Sequence, residues 1–138
     1  MTLGYTAGVF DLFHIGHVNM LKAAKSLCSK LIVGVTSDDL AIYKNKKPII
    51  SFEDRKVVVE SCRYVDAVIG QYNLDKYEAY KRIGFDIIFV GDDWYDKSQW
   101  TELSQKIYPS KVVFLPYTKS TSSTLINKLI QKERDLLI

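Results

Sequence analysis

The chain has 138 residues, 47% of them hydrophobic and 25% charged, a balance that excludes the disordered and fibrous classes of protein. Its formal net charge of +3 is too small to predict a nucleic-acid interface, although it suits a small anionic ligand. The first residues carry no leader pattern and no apolar run reaches membrane-spanning length, so we expect a cytoplasmic protein without a membrane partner.

Apolar runs alternate with helical patterns along the chain, with no repeat or linker, so we expect one domain over residues 1–138. The predicted strands are Leu3–Phe10, Lys30–Thr36, Val65–Gly70, Asp86–Val90 and Lys111–Leu115. The predicted helices are Gly16–Ser29, a helix capped by Ser51 and running to about Arg63, Leu74–Ile83, Lys97–Tyr108, and a last helix marked by Leu125, Ile126, Leu129 and Ile130. Strands that are apolar on both faces and alternate with helices predict an α/β fold: a doubly wound, Rossmann-like, five-stranded parallel sheet with helices on both faces.

Polar, chemically capable residues follow each predicted strand at its carboxyl end. In a doubly wound sheet these ends meet at one edge, and ligands bind there, where the winding direction reverses. The groups are, in chain order, Asp11-His14-His17, Thr36-Ser37-Asp38-Asp39, Gln71, Gly91-Asp92-Asp93-Trp94 and Tyr117-Thr118-Lys119. The pattern therefore predicts a ligand site at this edge of the sheet.

The stretch GVFDLFHIGH, residues 8–17, holds both histidines of the chain, where the first strand gives way to a helix. Gly16 between them allows a ligand to approach the backbone, and the first amides and the dipole of the helix favour an anion. Two imidazoles at this spacing can donate hydrogen bonds to one phosphate. A metal site needs further ligands, and neither HExxH nor a third histidine is present. The structural alternative is a pair of satisfied histidines at a surface turn, and we favour the phosphate-handling pair.

Four further stretches have both a phosphate-binding and a plainly structural interpretation. The KNKK stretch at residues 44–47 fits either a mobile loop that neutralises a triphosphate or a solvated basic loop. Arg55 and Arg63 fall on roughly one face of a predicted helix and can bind phosphate, although Arg63 can also be a partner of the helix dipole. Gly91–Trp94 can hold a metal, a sugar or a base, or form a polar turn with a packing tryptophan. The hydroxyls of Thr118–Thr124 cap the last helix in either case and also suit an anion.

The sequence argues against several reaction classes. No serine or cysteine nucleophile with an adjacent base is evident, and GxxxxGK[ST] and GxGxxG loops are absent, which disfavours covalent catalysis, P-loop chemistry and dinucleotide oxidoreduction. Cys28 and Cys62 lie in apolar-periodic segments without CxxC spacing and are predicted to be reduced core residues.

Taken together and in order, these residues resemble the cytidylyltransferase family of the HxGH nucleotidyltransferases, and its bacterial glycerol-3-phosphate branch in particular. The family's GTFDxxHxGH stretch is similar to Gly8–His17, and its lysine loop to residues 44–47. Its RxxxxxxxRYVD helix resembles Arg55–Asp66, and the GDDW of the glycerol-phosphate branch stands unchanged at Gly91–Trp94. The resemblance covers residues 5–130, nearly the whole chain.

The resemblance implies direct transfer of a cytidylyl group from CTP, accompanied by Mg²⁺, to a small phosphorylated alcohol, with glycerol 3-phosphate as the best match. The products would be a CDP-alcohol and pyrophosphate, and the enzyme a homodimer without a nucleic-acid partner. The catalytic residues implied are His14, His17, Lys44 and Lys46. The nucleotide-binding residues implied are Gly8, Phe10, Gly16, Arg55, Gly91, Asp92, Thr118, Lys119, Ser122, Ser123 and Thr124. The acceptor-binding residues implied are Asp11, Arg63 and Trp94, and no protein residue is assigned to the metal.

The last motif departs from the family pattern. Where the family has RTEGIST, this chain has YTKSTSS, so that Tyr117 replaces the arginine and Ser120 the glycine. Lys119 can restore the charge, but an ammonium lacks the bidentate fork of a guanidinium. Two alternatives therefore stay open: a nucleotidyltransferase of the same fold with another acceptor or nucleotide, such as an adenylyltransferase of the FAD-synthetase type, and a nucleotide-binding module without catalysis.

Overall fold

Strands and helices alternate along the residues that the structure, a computed structural model, describes: 1–91, 98–116 and 123–137, without the side chains of 123, 124 and 135–137. The strands are β1 (Leu3–Gly8), β2 (Lys30–Thr36), β3 (Ala67–Gln71), β4 (Ile87–Gly91) and β5 (Lys111–Leu115). The helices are α1 (Ile15–Ser26), α2 (Asp38–Tyr43), α3 (Phe52–Glu60), α4 (Lys76–Ile83), α5 (Ser98–Ile107) and α6 (Ser123–Leu137). No helix within these residues is both long and apolar enough to cross a membrane.

The strands form one parallel sheet in the order β3-β2-β1-β4-β5. The central strand β1 pairs with β2 on one side and β4 on the other, so that Tyr5 lies beside Ile32 and Ile88. The direction of winding reverses between β1 and β4, and a ligand crevice is expected outside the carboxyl ends of these two strands. The predicted fold class is confirmed.

Each face of the sheet has its own apolar core. On one face, Leu21 of α1 and Val59 of α3 pack with Val33 and Val35 of β2. On the other face, α4 and α5 cover a cluster of Tyr5, Ala79, Phe85, Ile88, Val90, Trp100, Leu103 and Ile107. Full burial of such a side chain stabilises the fold by about 1.5–3 kcal/mol. The two cores therefore fix the carboxyl ends of the strands, from which the loops of the site extend.

Side-chain caps fix the start of three helices at this edge. Ser37 accepts a hydrogen bond from the Leu40 amide at the start of α2, and Ser51 accepts one from the Asp54 amide at the start of α3, as the sequence predicts. Asp75 accepts hydrogen bonds from two amides at the start of α4. Each cap satisfies helix amides that otherwise lack a partner, so the loops that carry polar residues enter their helices at defined points.

The structure differs from the predicted elements in three places. Strand β1 ends at Gly8 rather than Phe10, because Phe10 and Leu12 adopt left-handed backbone angles with φ of 55° and 51°. Helix α1 ends at Ser26 rather than Ser29, with Leu27, which is 52% exposed, as the C-cap residue. Helix α2 was not predicted, although Ser37 followed by two acidic residues is a helix-start signal. The remaining boundaries differ by at most a few residues.

Candidate active site

The two histidines cap the helix on which they lie. His14 is the N-cap residue of α1, and its Nδ1 accepts a hydrogen bond from the Gly16 amide at 3.0 Å. The His14 amide in turn donates to Nδ1 of His17 at 3.1 Å. This reciprocal arrangement is a capping box in which imidazoles replace the usual hydroxyl and carboxylate.

The capping box determines where each imidazole carries its proton. A neutral imidazole has one proton, so a ring that accepts at Nδ1 carries the proton on Nε2. Nε2 of His14 is buried and has no hydrogen-bond partner among the described residues. The two rings stack with centroids 3.9 Å apart, and the ring of Phe13 stacks on His17 with centroids 5.2 Å apart. The capping box thus uses Nδ1 of both rings and places both protons on Nε2, and Nε2 of His14 has no partner among the described residues.

Burial keeps both imidazoles neutral at pH 7. It lowers the pKa of His14, and burial together with the neighbouring His14 ring lowers the pKa of His17 to about 4. Neutral rings with a proton on Nε2 can donate hydrogen bonds to phosphate oxygens at physiological pH. The same rings are poor general acids, because they hold no second proton to give.

The loop between β1 and α1 holds the next segment of the site. Asp11 lies between the left-handed residues Phe10 and Leu12, is 4% exposed, and accepts hydrogen bonds from the amides of Ile49 and Ile50 at 2.9 and 3.0 Å. Both carboxylate oxygens thus bind backbone amides of the protein, and the acceptor contact predicted for Asp11 stays a prediction. Asp11 fastens the segment that follows the lysines to the histidine loop.

Residues 44–47, which we call the lysine loop, begin with a helix C-cap of defined geometry. Asn45 has φ of 60°, a left-handed conformation that asparagine adopts more readily than other non-glycine residues. Its amide donates to the Ile42 carbonyl at 2.9 Å, and the Lys46 amide donates to the Ala41 carbonyl at 2.8 Å. These two bonds make a Schellman motif, which places Lys44 and Lys46 on either side of the turn.

A third lysine, absent from the predicted site, joins the lysine loop. Lys76 is the first residue of α4, at the same edge of the sheet, and is partly buried. Burial and the charge of Lys44 lower the pKa of Lys76 to about 8. Burial and the charge of Lys46 lower the pKa of Lys44. The Lys44 ammonium is thus repelled by Lys46 and itself repels Lys76, so an anion bound among these groups would relieve the repulsion.

Arg55 lies beneath the site rather than in it. It is 1% exposed, and its guanidinium donates to the carbonyls of Val9, Thr36 and Ile50 at 2.7, 2.7 and 2.9 Å and to the Asp38 carboxylate at 2.6 Å. The guanidinium is turned inward onto four protein acceptors, and the phosphate contact predicted for Arg55 stays a prediction. Arg55 ties the ends of β1 and β2 to the segment that precedes α3.

Arg63 lies far from the histidines within one chain. It is exposed, and its guanidinium donates to the Tyr64 hydroxyl at 2.9 Å. Asp66 beside it accepts a hydrogen bond from the Leu31 amide at 2.7 Å, which places this segment at the amino end of β2. Arg63 thus lies at the opposite edge of the sheet from the histidines, and its predicted acceptor contact stays a prediction.

The other predicted residues divide into described and undescribed ones. Gly8 packs against the ring of Phe10, where a Cβ would lie 3.1 Å from the ring, and Gly91 ends β4 at the site edge. Asp92, Trp94, Thr118, Lys119 and Ser122 lie outside the described residues, as do the side chains of Ser123 and Thr124 at the start of α6. Asp93, Tyr117 and Ser120, singled out in the same motifs, also lie outside them.

Side chains that could ligate a metal do not cluster in the part of the chain that the structure describes. Within residues 1–91, 98–116 and 123–137, no cluster of three or more His, Cys, Asp or Glu side chains is present. The site edge instead combines two neutral hydrogen-bond donors, a helix start and three lysines. This arrangement suits a polyanion such as a chain of phosphates, with the donors at one end and the ammonium groups beside them.

Comparison with known proteins agrees with this chemistry. The family model described as cytidylyltransferase-like matches residues 5–129. Glycerol-3-phosphate cytidylyltransferase of Bacillus subtilis is 36% identical over 126 residues, which cover 91% of this chain and 94% of that protein. FAD synthase of Thermococcus sibiricus is 37% identical over 131 residues, which cover 92% of this chain and 88% of that protein.

A solved structure shares the fold over a similar span. The lipopolysaccharide core biosynthesis protein from Thermoplasma volcanium aligns with a TM-score of 0.73 and 30% identity, over 86% of this chain and 98% of its own. The matches thus extend over nearly the whole chain, and the matching proteins carry more than one functional name.

Proposed function

This chain belongs to the cytidylyltransferase-like family and is a nucleotidyltransferase, and from that premise we propose that it transfers a cytidylyl group from CTP to a small phosphorylated alcohol, with glycerol 3-phosphate as the best candidate. One observation carries the proposal: the capping box leaves two neutral imidazoles with their protons on Nε2 at the start of α1. A relative whose name states glycerol 3-phosphate as substrate, 36% identical over 126 residues, supports the choice of acceptor.

The reaction needs positioning and charge stabilisation rather than a covalent intermediate. An oxygen of the acceptor phosphate attacks the α-phosphorus of CTP, and the bond from that phosphorus to the bridging oxygen breaks. The electron pair leaves with pyrophosphate, and the attacking oxygen becomes part of the new diphosphate. The Nε2–H groups of His14 and His17 donate to α-phosphate oxygens as these gain charge in the transition state.

The lysines stabilise the charge that moves toward the leaving group. We assign Lys44 and Lys46 to the triphosphate and add Lys76, because its ammonium lies close enough to that of Lys44 to lower its pKa. A bound phosphate would raise the lowered pKa of Lys44 and of Lys76, so binding and protonation reinforce each other. The contacts of residues 118–124 with the outer phosphates, and of Asp92 and Trp94 with nucleoside or acceptor, belong to the same proposal.

Magnesium enters this scheme as part of the substrate. Mg²⁺ commonly binds through substrate phosphates and water with few protein ligands. Asp11, a carboxylate close to the histidines, has both oxygens on backbone amides, and the described residues hold no acidic cluster. We therefore propose that MgCTP is the nucleotide substrate and that its triphosphate carries the ion.

The proposed enzyme is a homodimer. On the outer face of α3, Val57 and Val58 are 65% and 40% exposed. Two adjacent β-branched residues lower helix propensity, so their presence on an exposed helix face favours a packing role. Light scattering should give twice the chain mass for the wild type and a smaller mass for Val57→Asp. A monomeric wild type would refute the dimer.

The proposed location is the cytoplasm. Cys28 and Cys62 are unpaired and partly buried, as reduced thiols in a reducing compartment are. Fractionation of cells that produce the chain should place it with soluble cytoplasmic proteins. Recovery in an exported fraction would contradict this part of the proposal.

A panel of substrates tests the proposed reaction. Pyrophosphate release should be measured with each of the four nucleoside triphosphates against glycerol, ribitol, choline and ethanolamine phosphates, and with ATP and FMN. We expect turnover with CTP and glycerol 3-phosphate. Preference for ATP with FMN would favour the second candidate, a FAD-synthase-like adenylyltransferase, which the 37% identity to a FAD synthase supports. Nucleotide binding without turnover of any pair would indicate a module that has lost catalysis.

A further inference from the structure

The lysine loop is held firmly at both of its ends. Its start is fixed by the Schellman motif at Asn45, and the segment after it is fixed by Asp11, which binds the amides of Ile49 and Ile50. Between these points Lys46 and Lys47 are exposed. A loop that must present ammonium groups to a phosphate chain in a set geometry needs a further constraint at this position.

Helix α6 supplies such a constraint. Nδ2 of Asn127 donates a hydrogen bond to the carbonyl of Lys47 at 3.2 Å, joining the last helix to the lysine loop across 80 residues of sequence. Asn127 lies on the face of α6 that meets the rest of the chain. Over residues 125–134, Ile126, Asn127 and Ile130 are partly buried and the other positions are exposed. Asn127 is therefore the polar member of a narrow contact face.

The contact face of α6 is lightly packed, so the hydrogen bond from Asn127 matters more for the position of the helix. None of residues 125–134 is fully buried. The exposed positions include Leu125 and Leu129, at 51% and 65%. Little apolar burial is therefore available in residues 125–134 to fix the helix against the loop, so a directional hydrogen bond can contribute to their relative position.

We propose that Asn127 is a positioning residue that holds the lysine loop and α6 in one register. This inference rests on the proposed function, in which Lys44 and Lys46 and the start of α6 act on one triphosphate. With the bond formed, the two phosphate-binding elements stay at a fixed distance before substrate arrives. Without the bond, part of the substrate's binding energy is used to order the loop, and that part no longer stabilises the transition state.

The test uses Asn127→Leu, which removes the amide donor at similar side-chain volume. Leucine is the better helix former, so a loosened loop cannot be ascribed to a weakened α6. The matched control is Lys128→Ala on the exposed face of the same helix, and Asn127→Gln is the variant that restores an amide donor. All three are compared with the wild-type full-length chain.

Two measurements separate this inference from the proposed function. The first is amide hydrogen exchange of Asn45 and Lys46 in the ligand-free chain, which needs no activity. We expect exchange about two- to tenfold faster in Asn127→Leu, the size of effect that one hydrogen bond supplies. Lys128→Ala should match the wild type, and Asn127→Gln should lie between. Unchanged exchange in Asn127→Leu would overturn the inference.

The second measurement is steady-state turnover with CTP and the best acceptor. We expect kcat to fall by about three- to tenfold in Asn127→Leu, with a smaller change in KM for the acceptor and partial recovery in Asn127→Gln. Faster exchange with unchanged kcat would overturn the role in catalysis. If the wild type itself transfers no nucleotide, the proposed function fails, while the exchange data still decide whether Asn127 orders the loop.

Discussion

The backbone amide of His14 donates to Nδ1 of His17 at 3.1 Å, so one histidine caps the helix turn that carries the other. This bond, with the reciprocal one from Gly16 to His14, sets the orientation and the tautomer of both rings. The two imidazoles are therefore organised before any phosphate binds. Preorganised donors cost no reorganisation in the transition state, which is where they contribute most to rate.

The neutral state of the histidines predicts a simple titration experiment. The chain has only two histidines, so the ring C–H resonances can be followed by NMR from pH 8 to pH 3.5. We expect the His17 resonances to titrate near pH 4, because burial and His14 lower the pKa of His17 to about 4. Titration of His17 near pH 6.5 would show that the ring is charged in the free protein near neutrality.

The same shift predicts how stability depends on pH. Between about pH 4 and pH 6.5 the unfolded chain binds more protons at His17 than the folded chain, so stability rises with pH across this window and is lost as pH falls through it. The upper size of the effect is about 3 kcal/mol. Urea unfolding of the wild type and of His17→Asn at pH 7 and pH 4.5 measures it. An equal pH dependence in both proteins would remove His17 as the cause.

Lys76 predicts an alkaline limb in the rate profile. The free enzyme loses the Lys76 proton as pH rises through about 8, and a neutral amine attracts phosphate poorly. We expect kcat/KM to fall above this pH, and Lys76→Arg, which stays charged, to move the fall to higher pH. Lys81→Arg in the same helix is the matched control and should keep the wild-type profile. If kcat/KM of Lys76→Arg falls at the same pH as that of the wild type, a group other than Lys76 causes the fall.

Arg55 predicts a large stability effect from a change that keeps its charge. In Arg55→Lys, one ammonium cannot reach the carbonyls of Val9, Thr36 and Ile50 together with Asp38, and we expect a loss of about 2–4 kcal/mol in urea unfolding. Arg82→Lys, at an exposed ion pair with Glu78, should change stability by less than about 0.5 kcal/mol. Wild-type stability with weakened CTP binding in Arg55→Lys would instead favour the direct phosphate contact predicted from the sequence.

The fold was largely predictable because its signals are local and periodic. Strands β2 and β5 lie where the sequence predicts them to the residue, since each is a short apolar run between polar flanks. The end of β1 was not predictable. Phe10 and Leu12 take left-handed angles that neither residue type favours, and Asp11 between them is held by hydrogen bonds to residues 38 and 39 positions away in sequence.

The sequence indicated which residues belong to the site, but not where each of them lies or which role it has. Helical spacing places Arg55 and Arg63 on one helix but does not reveal that one is buried beneath the site and the other exposed at the opposite edge of the sheet. Lys76 was missed because its importance comes from proximity to Lys44, which lies far away in sequence. Asn45 carried a readable signal, since asparagine after a helix is typical of a left-handed C-cap.

The most direct test of the account is pyrophosphate release from CTP and glycerol 3-phosphate by the wild type, His14→Ala and His17→Ala, with folding checked by circular dichroism. We expect each variant to remain folded and to lose about 100-fold or more in turnover, the contribution that charge-stabilising donors typically make. His14→Asn, which keeps an N-cap acceptor but places no donor at the Nε2 position, should lose nearly as much while retaining more stability than His14→Ala. Wild-type turnover in a folded His14→Ala or His17→Ala variant would contradict the account.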